Sequence, residues 1–290
     1  MAGILQYYND YEKVNYKNKE NALTLFNSLL LNPNEASSYL LGYLWADGWI
    51  RLHNGLPQSV GMEILDRDAD YLIPIFEEMG VISVSRRQRE NRQPQACISV
   101  NSRPLAEALH SLGLTKNRLN CKNLMEILPI SLRRFFVLGL VDGDGCIYIS
   151  KDSKVQQFYI TACKEQSWEY LKEFILKECG VSLTTVIQDH YSCVRVTGKT
   201  NLTKLGSWVY QGHTLGLPRK RDKWIGLIST PTPNNHILTD EQSEFMMEQI
   251  RLGVPYRELS QKLGVSEKFI SGLKMRGGYR KNEVTVFKGL

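Results

Sequence analysis

Two nine-residue stretches of the chain share one pattern: LLGYLWADG at residues 40–48 and VLGLVDGDG at residues 137–145. Both follow the order apolar, apolar, Gly, apolar, apolar, any residue, small, Asp, Gly. The match continues downstream in the same order, with EMGV at 78–81 recurring as ECGV at 178–181 and LGLTKNR at 112–118 recurring as LGLPRKR at 215–221. A repeat of this length indicates a duplicated domain rather than a solenoid of short units.

Each copy predicts the same order of elements, αββαββα. The predicted helices are 35–47, 67–79 and 103–112 in the first copy, and 132–143, 165–179 and 200–210 in the second. The predicted strands are 49–53, 59–65, 81–88 and 95–100, then 146–150, 156–162, 181–188 and 192–197. Asn54-Gly55 is a strong hairpin signal between the first two strands. Antiparallel hairpins that alternate with helices predict an α+β fold with two pseudo-symmetric halves, at 35–128 and 129–228.

The glycine and the aspartate that the two stretches share suggest a function for the repeat. Gly42 and Gly139 lie in the middle of predicted helices, where glycine costs about 1 kcal/mol relative to alanine, so they indicate a close helix–helix approach. Asp47 and Asp144 end the same helices, where the negative end of the helix dipole disfavours a carboxylate. If the two helices pack side by side, the carboxylates face each other and need a counterion, which a divalent cation with oxygen ligands supplies.

The two stretches match the LAGLIDADG motif, and the αββαββα unit resembles the fold of that family over residues 35–228. The resemblance implies a single-chain, monomeric homing endonuclease with saddle-shaped sheets, which makes a metal-dependent staggered double-strand cut in a long DNA target. It also implies that Asp47 and Asp144 bind Mg²⁺ at the scissile phosphates, with the carbonyl oxygens of Ala46 and Gly143 as further ligands. The sixth motif position is Asp142 in the second copy and Trp45 in the first, which predicts an asymmetric interface.

Basic and polar residues of the predicted strands are candidates for DNA contacts. The basic helpers expected near the carboxylates are Lys116, Lys164, Arg195 and Lys220. The candidate DNA-binding residues of the two halves are Arg51, His53, Gln58, Arg86, Arg87, Gln88, Arg89, Arg92, Lys151, Gln157, Tyr159, Gln188 and Arg195. A solvated sheet face would carry similar residues. The two copies differ at almost all these positions, so we expect an asymmetric target.

The flanking segments differ in composition from the repeat. Residues 1–34 form an N-terminal extension to which no function is assigned, and the proline-containing stretch 229–235 is typical of a linker. Residues 236–290 predict three helices, with Gly264 in a turn and Ser266 capping the last helix, which is the pattern of a helix-turn-helix DNA-binding module. Its candidate DNA-binding residues are Lys268, Lys274, Arg276 and Arg280. A helical packing or oligomerisation element is the alternative.

Composition excludes several other classes. With 36 Lys and Arg against 30 Asp and Glu, the net charge of +6 permits a polyanionic partner without proving one. The six cysteines and five histidines show no zinc-ligand spacing, and no signal peptide or membrane span is apparent, so we expect an intracellular protein without a membrane partner. Two functions remain open beside the nuclease on this scaffold: an RNA-binding intron maturase, and a DNA-binding regulator with an inactive core.

Overall fold

The computed structural model describes residues 2–12, 19–80, 82–150, 155–229, 238, 240–275, 280–281 and 284–285. The chain divides into two compact units, Met1–Thr230 and Pro231–Leu290. Among the predicted functional positions, Lys151 and Arg276 lie outside the described residues, as does the predicted linker after Ser229. No helix within the described ranges is long and apolar enough to cross a membrane.

The described part of the N-terminal extension is helical and contributes to the core. It forms α1 (Ala2–Glu12), α2 (Lys19–Phe26) and a π-helix (Asn27–Leu31). Leu25, Phe26 and Leu29 are buried in the main hydrophobic core, and Ser102 donates a hydrogen bond to the Ala22 carbonyl oxygen (3.2 Å). These residues therefore pack against the first half of the repeat, which the sequence did not reveal.

The first half has the predicted αββαββα order. Its elements are α3 (Glu35–Asp47), β1 (Gly48–His53), β2 (Leu56–Leu65), α4 (Asp66–Glu77), β3 (Ser83–Arg87), β4 (Gln95–Val100), α5 (Arg103–Ser111) and the short α6 (Lys122–Glu126), which was not predicted. The strands form an antiparallel sheet of order β1-β2-β4-β3. Asn54 and Gly55 have φ values of 50° and 78°, as the predicted hairpin requires.

The second half repeats the arrangement. A 3₁₀ turn (Ile130–Leu132) precedes α7 (Arg133–Asp144), β5 (Gly145–Ile149), β6 (Gln156–Cys163), α8 (Glu169–Cys179), β7 (Thr184–Ile187), β8 (Tyr191–Thr197), α9 (Lys199–Tyr210) and α10 (Pro218–Ser229). The sheet order β5-β6-β8-β7 is that of the first half. The sequence did not predict α10, and α8 begins at residue 169 rather than 165. The predicted α+β class and the two antiparallel sheets are confirmed.

Helices α3 and α7 cross in backbone contact, as their mid-helix glycines predict. A Cβ atom placed on Gly139 would overlap the Tyr39 carbonyl oxygen and lie 2.6 Å from the Tyr43 amide nitrogen. A Cβ atom placed on Gly42 would overlap the Phe136 carbonyl oxygen. Only glycine at both positions allows this approach, which brings the C-terminal ends of the two helices together.

The second unit contains the predicted small helical core. Its helices are α11 (Asp240–Arg251), α12 (Tyr256–Leu263) and α13 (Glu267–Met275), followed by the short strands β9 (Arg280–Lys281) and β10 (Val284–Thr285). Gly264 adopts the left-handed conformation (φ 67°) between α12 and α13, and the Ser266 hydroxyl accepts a hydrogen bond from the Phe269 amide (3.2 Å). Its buried apolar residues are Leu238, Met246, Met247, Ile250, Leu259, Val265 and Ile270.

Candidate active site

The two predicted carboxylates end the two crossing helices. Asp47 is the last residue of α3 and Asp144 is the last residue of α7. In each case the following glycine is extended and begins a strand, so the chain turns away from the helix axis at this point. A Cβ atom placed on Gly143 would lie 3.4 Å from Oδ2 of Asp47. The crossing therefore brings the ends of the two helices, and the carboxylates they carry, to one place.

The carboxylates are half-buried, and two cations act on them. Burial raises the pKa of Asp47, which the positive charges of Lys220 and Arg118 partly oppose. Burial and then the negative charge of Asp47 raise the pKa of Asp144 to about 6, against the opposing effect of the same two cations. The site thus favours binding of further positive charge when both carboxylates are ionised.

A buried or half-buried cation caps the C-terminal end of each motif helix. The guanidinium of Arg118 donates to the carbonyl oxygens of Trp45 (2.6 Å), Ala46 and Gly48. The ammonium of Lys220 donates to the carbonyl oxygens of Val141 (2.9 Å), Asp142, Gly143 (3.2 Å) and Gly145 (2.8 Å). The two cations take equivalent positions, because Trp45, Ala46 and Gly48 correspond to Asp142, Gly143 and Gly145 in the repeat.

These cations neutralise the negative ends of the helix dipoles directly behind the carboxylates. Burial lowers the pKa of Lys220 to about 8, and burial also lowers the pKa of Arg118. The Arg118 guanidinium and the Lys220 ammonium are both charged at neutral pH, and both are desolvated where they face the carbonyl oxygens. The predicted metal-ligating carbonyl groups of Ala46 and Gly143 are therefore hydrogen-bonded to cations, although each oxygen has a second lone pair.

Of the predicted basic helpers, only Lys220 reaches the helix ends in this way. Lys116, Lys164 and Arg195 are exposed. Sequence reasoning missed Arg118, because the repeat LGLTKNR/LGLPRKR aligns Arg118 with Arg221 rather than with Lys220. The structure shifts that alignment by one residue. A basic residue at the end of both repeats was the available signal, but the register between them depends on the loops.

The sixth motif position differs between the halves, as the sequence indicates. Asp142 is fully buried and its carboxylate accepts hydrogen bonds from the Tyr39 hydroxyl (3.0 Å), the Tyr210 hydroxyl (2.9 Å) and the Leu217 amide (2.6 Å). Burial raises its pKa to about 6 in spite of these donors. In the first half, the buried Trp45 side chain instead packs near Gly113 (3.8 Å to the position of a Cβ atom).

The donor set at the helix ends suits a hard divalent cation held by few protein ligands. Among the residues that the structure describes, no three His, Cys, Asp or Glu side chains form a metal-binding group. A cation at this place would use Asp47 and Asp144 and complete its shell with water or phosphate oxygens. Mg²⁺ binds in this manner, through one or two carboxylates and substrate phosphates.

The predicted DNA-binding residues of the halves lie along the two sheets. Most are exposed: Arg51 and His53 on β1, Arg86 and Arg87 on β3, Gln88, Arg89 and Arg92 at the hairpin tip, Gln188 in the β7–β8 turn and Arg195 on β8. Gln58 on β2 and both Gln157 and Tyr159 on β6 are half-buried.

Two residues of the arginine-rich hairpin are paired with acids of the same half. Arg86 contacts Asp66 (2.6 Å) and Asp70 (2.5 Å), and Arg89 contacts Glu63 (3.1 Å). Part of the positive charge of this hairpin is therefore compensated within the protein. In the second unit, Lys268 is exposed at the start of α13, whereas the side chains of Lys274 and Arg280 are not described.

Comparison with known proteins gives structural relatives only. No family model and no curated protein matches the sequence. The homing endonuclease I-WcaI bound to its DNA recognition sequence matches with a TM-score of 0.55 at 10% identity, over 75% of this chain and 97% of that chain.

Two further solved structures align less closely. The LAGLIDADG meganuclease I-AabMI bound to uncleaved DNA has a TM-score of 0.45 at 14% identity, over 68% and 90% of the two chains. Full-length DUF199/WhiA from Thermatoga maritima has a TM-score of 0.44 at 12% identity, over 93% and 94% of the two chains. At 10% identity the likeness to I-WcaI concerns the fold alone, and the chain shares the α+β fold of that homing endonuclease.

Proposed function

We propose that the chain is a site-specific DNA endonuclease of the homing type, which makes a Mg²⁺-dependent staggered double-strand cut in a long asymmetric target. One observation carries the proposal: two half-buried carboxylates, Asp47 and Asp144, end two helices that cross in backbone contact, each with a cation behind it. One acid from each pseudo-symmetric half suits the cutting of two antiparallel strands.

The arrangement supplies what phosphodiester hydrolysis requires. Asp47 and Asp144 would hold the metal, which would supply charge neutralisation at phosphorus and activation of a water molecule. Arg118 and Lys220 hold the ends of α3 and α7 and keep positive charge beside the carboxylates before a metal binds. Gly42 and Gly139 permit the backbone contact that brings the two helix ends close, so the spacing of the two carboxylates follows from the crossing.

The surfaces beyond the site support DNA as the substrate. Each half places an antiparallel sheet with exposed basic and amide side chains after its motif helix, as base contacts and phosphate contacts both need. The halves carry different residues on these sheets, which favours an asymmetric target. In the second unit, the capped helix α13 with exposed Lys268 supports the helix-turn-helix function and contacts to flanking phosphates.

The test is cleavage of the host gene's allele that lacks the intervening sequence, in Mg²⁺, with both cut ends mapped. Asp47→Asn and Asp144→Asn remove one charge each without changing shape, so each variant should abolish double-strand cleavage while specific binding, measured by gel shift, largely survives. Glu173→Gln is the matched control, because Glu173 is an exposed acid on α8. It should cut like the wild type.

The outcomes separate the rival functions. Double-strand cleavage at the wild-type rate by either Asn variant would show that these acids do not hold the catalytic metal. Tight, specific DNA binding by the wild type with no cleavage in Mg²⁺ or Mn²⁺ would favour a DNA-binding regulator. Failure to bind the DNA, together with stimulation of splicing of the host intron RNA, would favour a maturase.

A further inference from the structure

The stretch Gly216–Arg221, which carries Lys220, belongs to the second half but is held by the first. It comprises the end of the loop after α9 and the first turn of α10, and it lies beside the C-terminal end of α7. Gly216 has a φ of 109°, so the chain there takes a conformation that favours glycine. The position of the Lys220 ammonium against the α7 carbonyl oxygens depends on how this stretch is anchored.

Two side chains of α4 in the first half make the anchoring contacts. Asp68 forms a bidentate ion pair with Arg219, whose Nε and Nη2 atoms lie 2.7 and 2.6 Å from the two carboxylate oxygens. The Tyr71 hydroxyl accepts a hydrogen bond from the Gly216 amide (2.8 Å). Asp68 and Tyr71 are three residues apart, so they lie on one face of α4. We refer to these two interactions as the α4 contact.

The carboxylate of the α4 contact is buried, whereas the Arg219 side chain is 37% exposed. Asp68 is 4% exposed, and Arg219 is the residue immediately before Lys220. A bidentate arginine–carboxylate ion pair constrains the relative orientation of the two side chains as well as their distance. Within the second half itself, the Leu217 amide donates to Asp142 (2.6 Å). Residues 216, 217 and 219 are therefore each held by a hydrogen bond. The next residue, Lys220, is thereby placed at the C-terminal end of α7.

The first half has no equivalent of the α4 contact within the described residues. The repeat aligns Asp68 with Trp168, whose indole donates instead to the Ser192 hydroxyl (2.9 Å). The stretch that carries Arg118 meets the second half through two other contacts. The Cys163 thiol donates to the Arg118 carbonyl oxygen (3.5 Å), and the Ser167 amide donates to the Leu119 carbonyl oxygen (2.7 Å). The two basic residues behind the carboxylates are thus anchored differently.

We infer that Asp68 and Tyr71 are positioning residues for Lys220, which make one of the two cuts depend on a contact between the halves. The inference rests on the proposed endonuclease function for its consequence in catalysis, but the anchoring itself is a structural statement. Loss of the α4 contact should free the stretch 216–221 and slow the cut on one DNA strand more than on the other. Arg118 and the strand it serves should be little affected.

The experiment uses the whole chain with two independent variants, Asp68→Asn and Tyr71→Phe. Tyr71→Phe removes only the hydroxyl acceptor, so it keeps the inference testable if Asp68→Asn folds poorly. Glu169→Gln is the matched control. Glu169 is an exposed acid on α8, the counterpart of α4, and it forms an ion pair with half-buried Lys172 one helical turn away (3.1 Å). Each variant is assayed by hydrogen–deuterium exchange and by strand-resolved nicking of a target labelled on either strand.

Amide exchange decides the anchoring. The peptide covering 216–221 should exchange about tenfold faster in Asp68→Asn, as expected for loss of a charged hydrogen bond. In Tyr71→Phe, which loses a neutral hydrogen bond, it should exchange about twofold to tenfold faster. The peptide covering 113–118 and the control protein should stay at the wild-type rate. Unchanged exchange at 216–221 in Tyr71→Phe and in a folded Asp68→Asn protein would overturn the inference, whatever the cleavage result.

Strand-resolved nicking decides the functional consequence. Nicked intermediate with one strand intact should accumulate in both variants and not in Glu169→Gln. Equal slowing of both strands would mean that the α4 contact only stabilises the fold, which overturns the positioning role. A wild-type protein that cuts neither strand would instead contradict the endonuclease proposal, and exchange would still decide the anchoring.

Discussion

Replacing Asp144 by Asn should stabilise the metal-free protein at neutral pH. The carboxylate of Asp144 is half-buried beside Asp47 at the negative ends of two helix dipoles, and its pKa is raised from 3.8 to about 6. An ionised group in that place costs folding free energy, which Asn avoids at nearly the same shape. A half-buried carboxylate with a strongly shifted pKa is typical of a functional site.

The size of the effect follows from the difference between the two pKa values. A difference of about two pH units corresponds to ~3 kcal/mol, at ~1.4 kcal/mol per unit. Solvent reaches part of the side chain and screens the charge, so we expect a gain of about 1 to 2 kcal/mol in the free energy of unfolding.

The direction with pH is a further check. The folded-state pKa of Asp144 is raised, so the group is most favourable when protonated, and its cost appears as the pH rises from about 4 through about 6. Urea unfolding in EDTA should show Asp144→Asn more stable than the wild type at pH 7.5, with most of that difference gone at pH 4.5. Glu173→Gln controls for the general loss of one negative charge.

Added Mg²⁺ should reverse the order. A ligand that binds only the folded state raises its stability according to the ratio of free ligand to Kd, so the wild type should gain more stability from added Mg²⁺ than the variant. If Asp144→Asn is less stable than the wild type by more than about 1 kcal/mol in EDTA at pH 7.5, the carboxylate is a structural hydrogen-bond acceptor and the electrostatic reasoning fails.

Two other predictions concern the helix crossing and the second unit. Gly139→Ala should lower the free energy of unfolding in urea by about 2 kcal/mol or more, because the new methyl group meets backbone atoms of Tyr39 and Tyr43 and the helices must separate. Gly226→Ala, at an exposed helical position with open space around it, should be neutral or slightly stabilising. An equal loss of stability in both variants would argue against the tight crossing. Truncation after Asn234 should weaken DNA binding and shorten the footprint on one side. It should also lower the slope of log K against log salt by about 2 to 4 units, with cleavage retained at high protein concentration. An unchanged footprint and slope would favour a packing role for the second unit.

Much of the fold is readable from the sequence because its determinants are local. The αββαββα order follows from hydrophobic periodicity, from the Asn54-Gly55 hairpin signal and from the duplication, which provides two readings of each element. The helix crossing follows from Gly42 and Gly139, because glycine in the middle of a helix is destabilising and indicates a close contact with another helix. The helical content of residues 1–34 was missed because those segments are helical through packing against α5 and the core, rather than through a strong pattern of their own.

The sequence by itself placed Asp47 and Asp144 at the ends of two paired helices and nominated Lys220 beside them. It misaligned Arg118 and gave no sign of Asp68 or Tyr71, because these residues reach the site through contacts between distant parts of the chain. Asp68 and Arg219 are 151 positions apart, and their pairing depends on the register in which loops of different length deliver each side chain. Short-range periodicity carries no information about that register, so only the packed tertiary structure decides which cation stands behind which carboxylate.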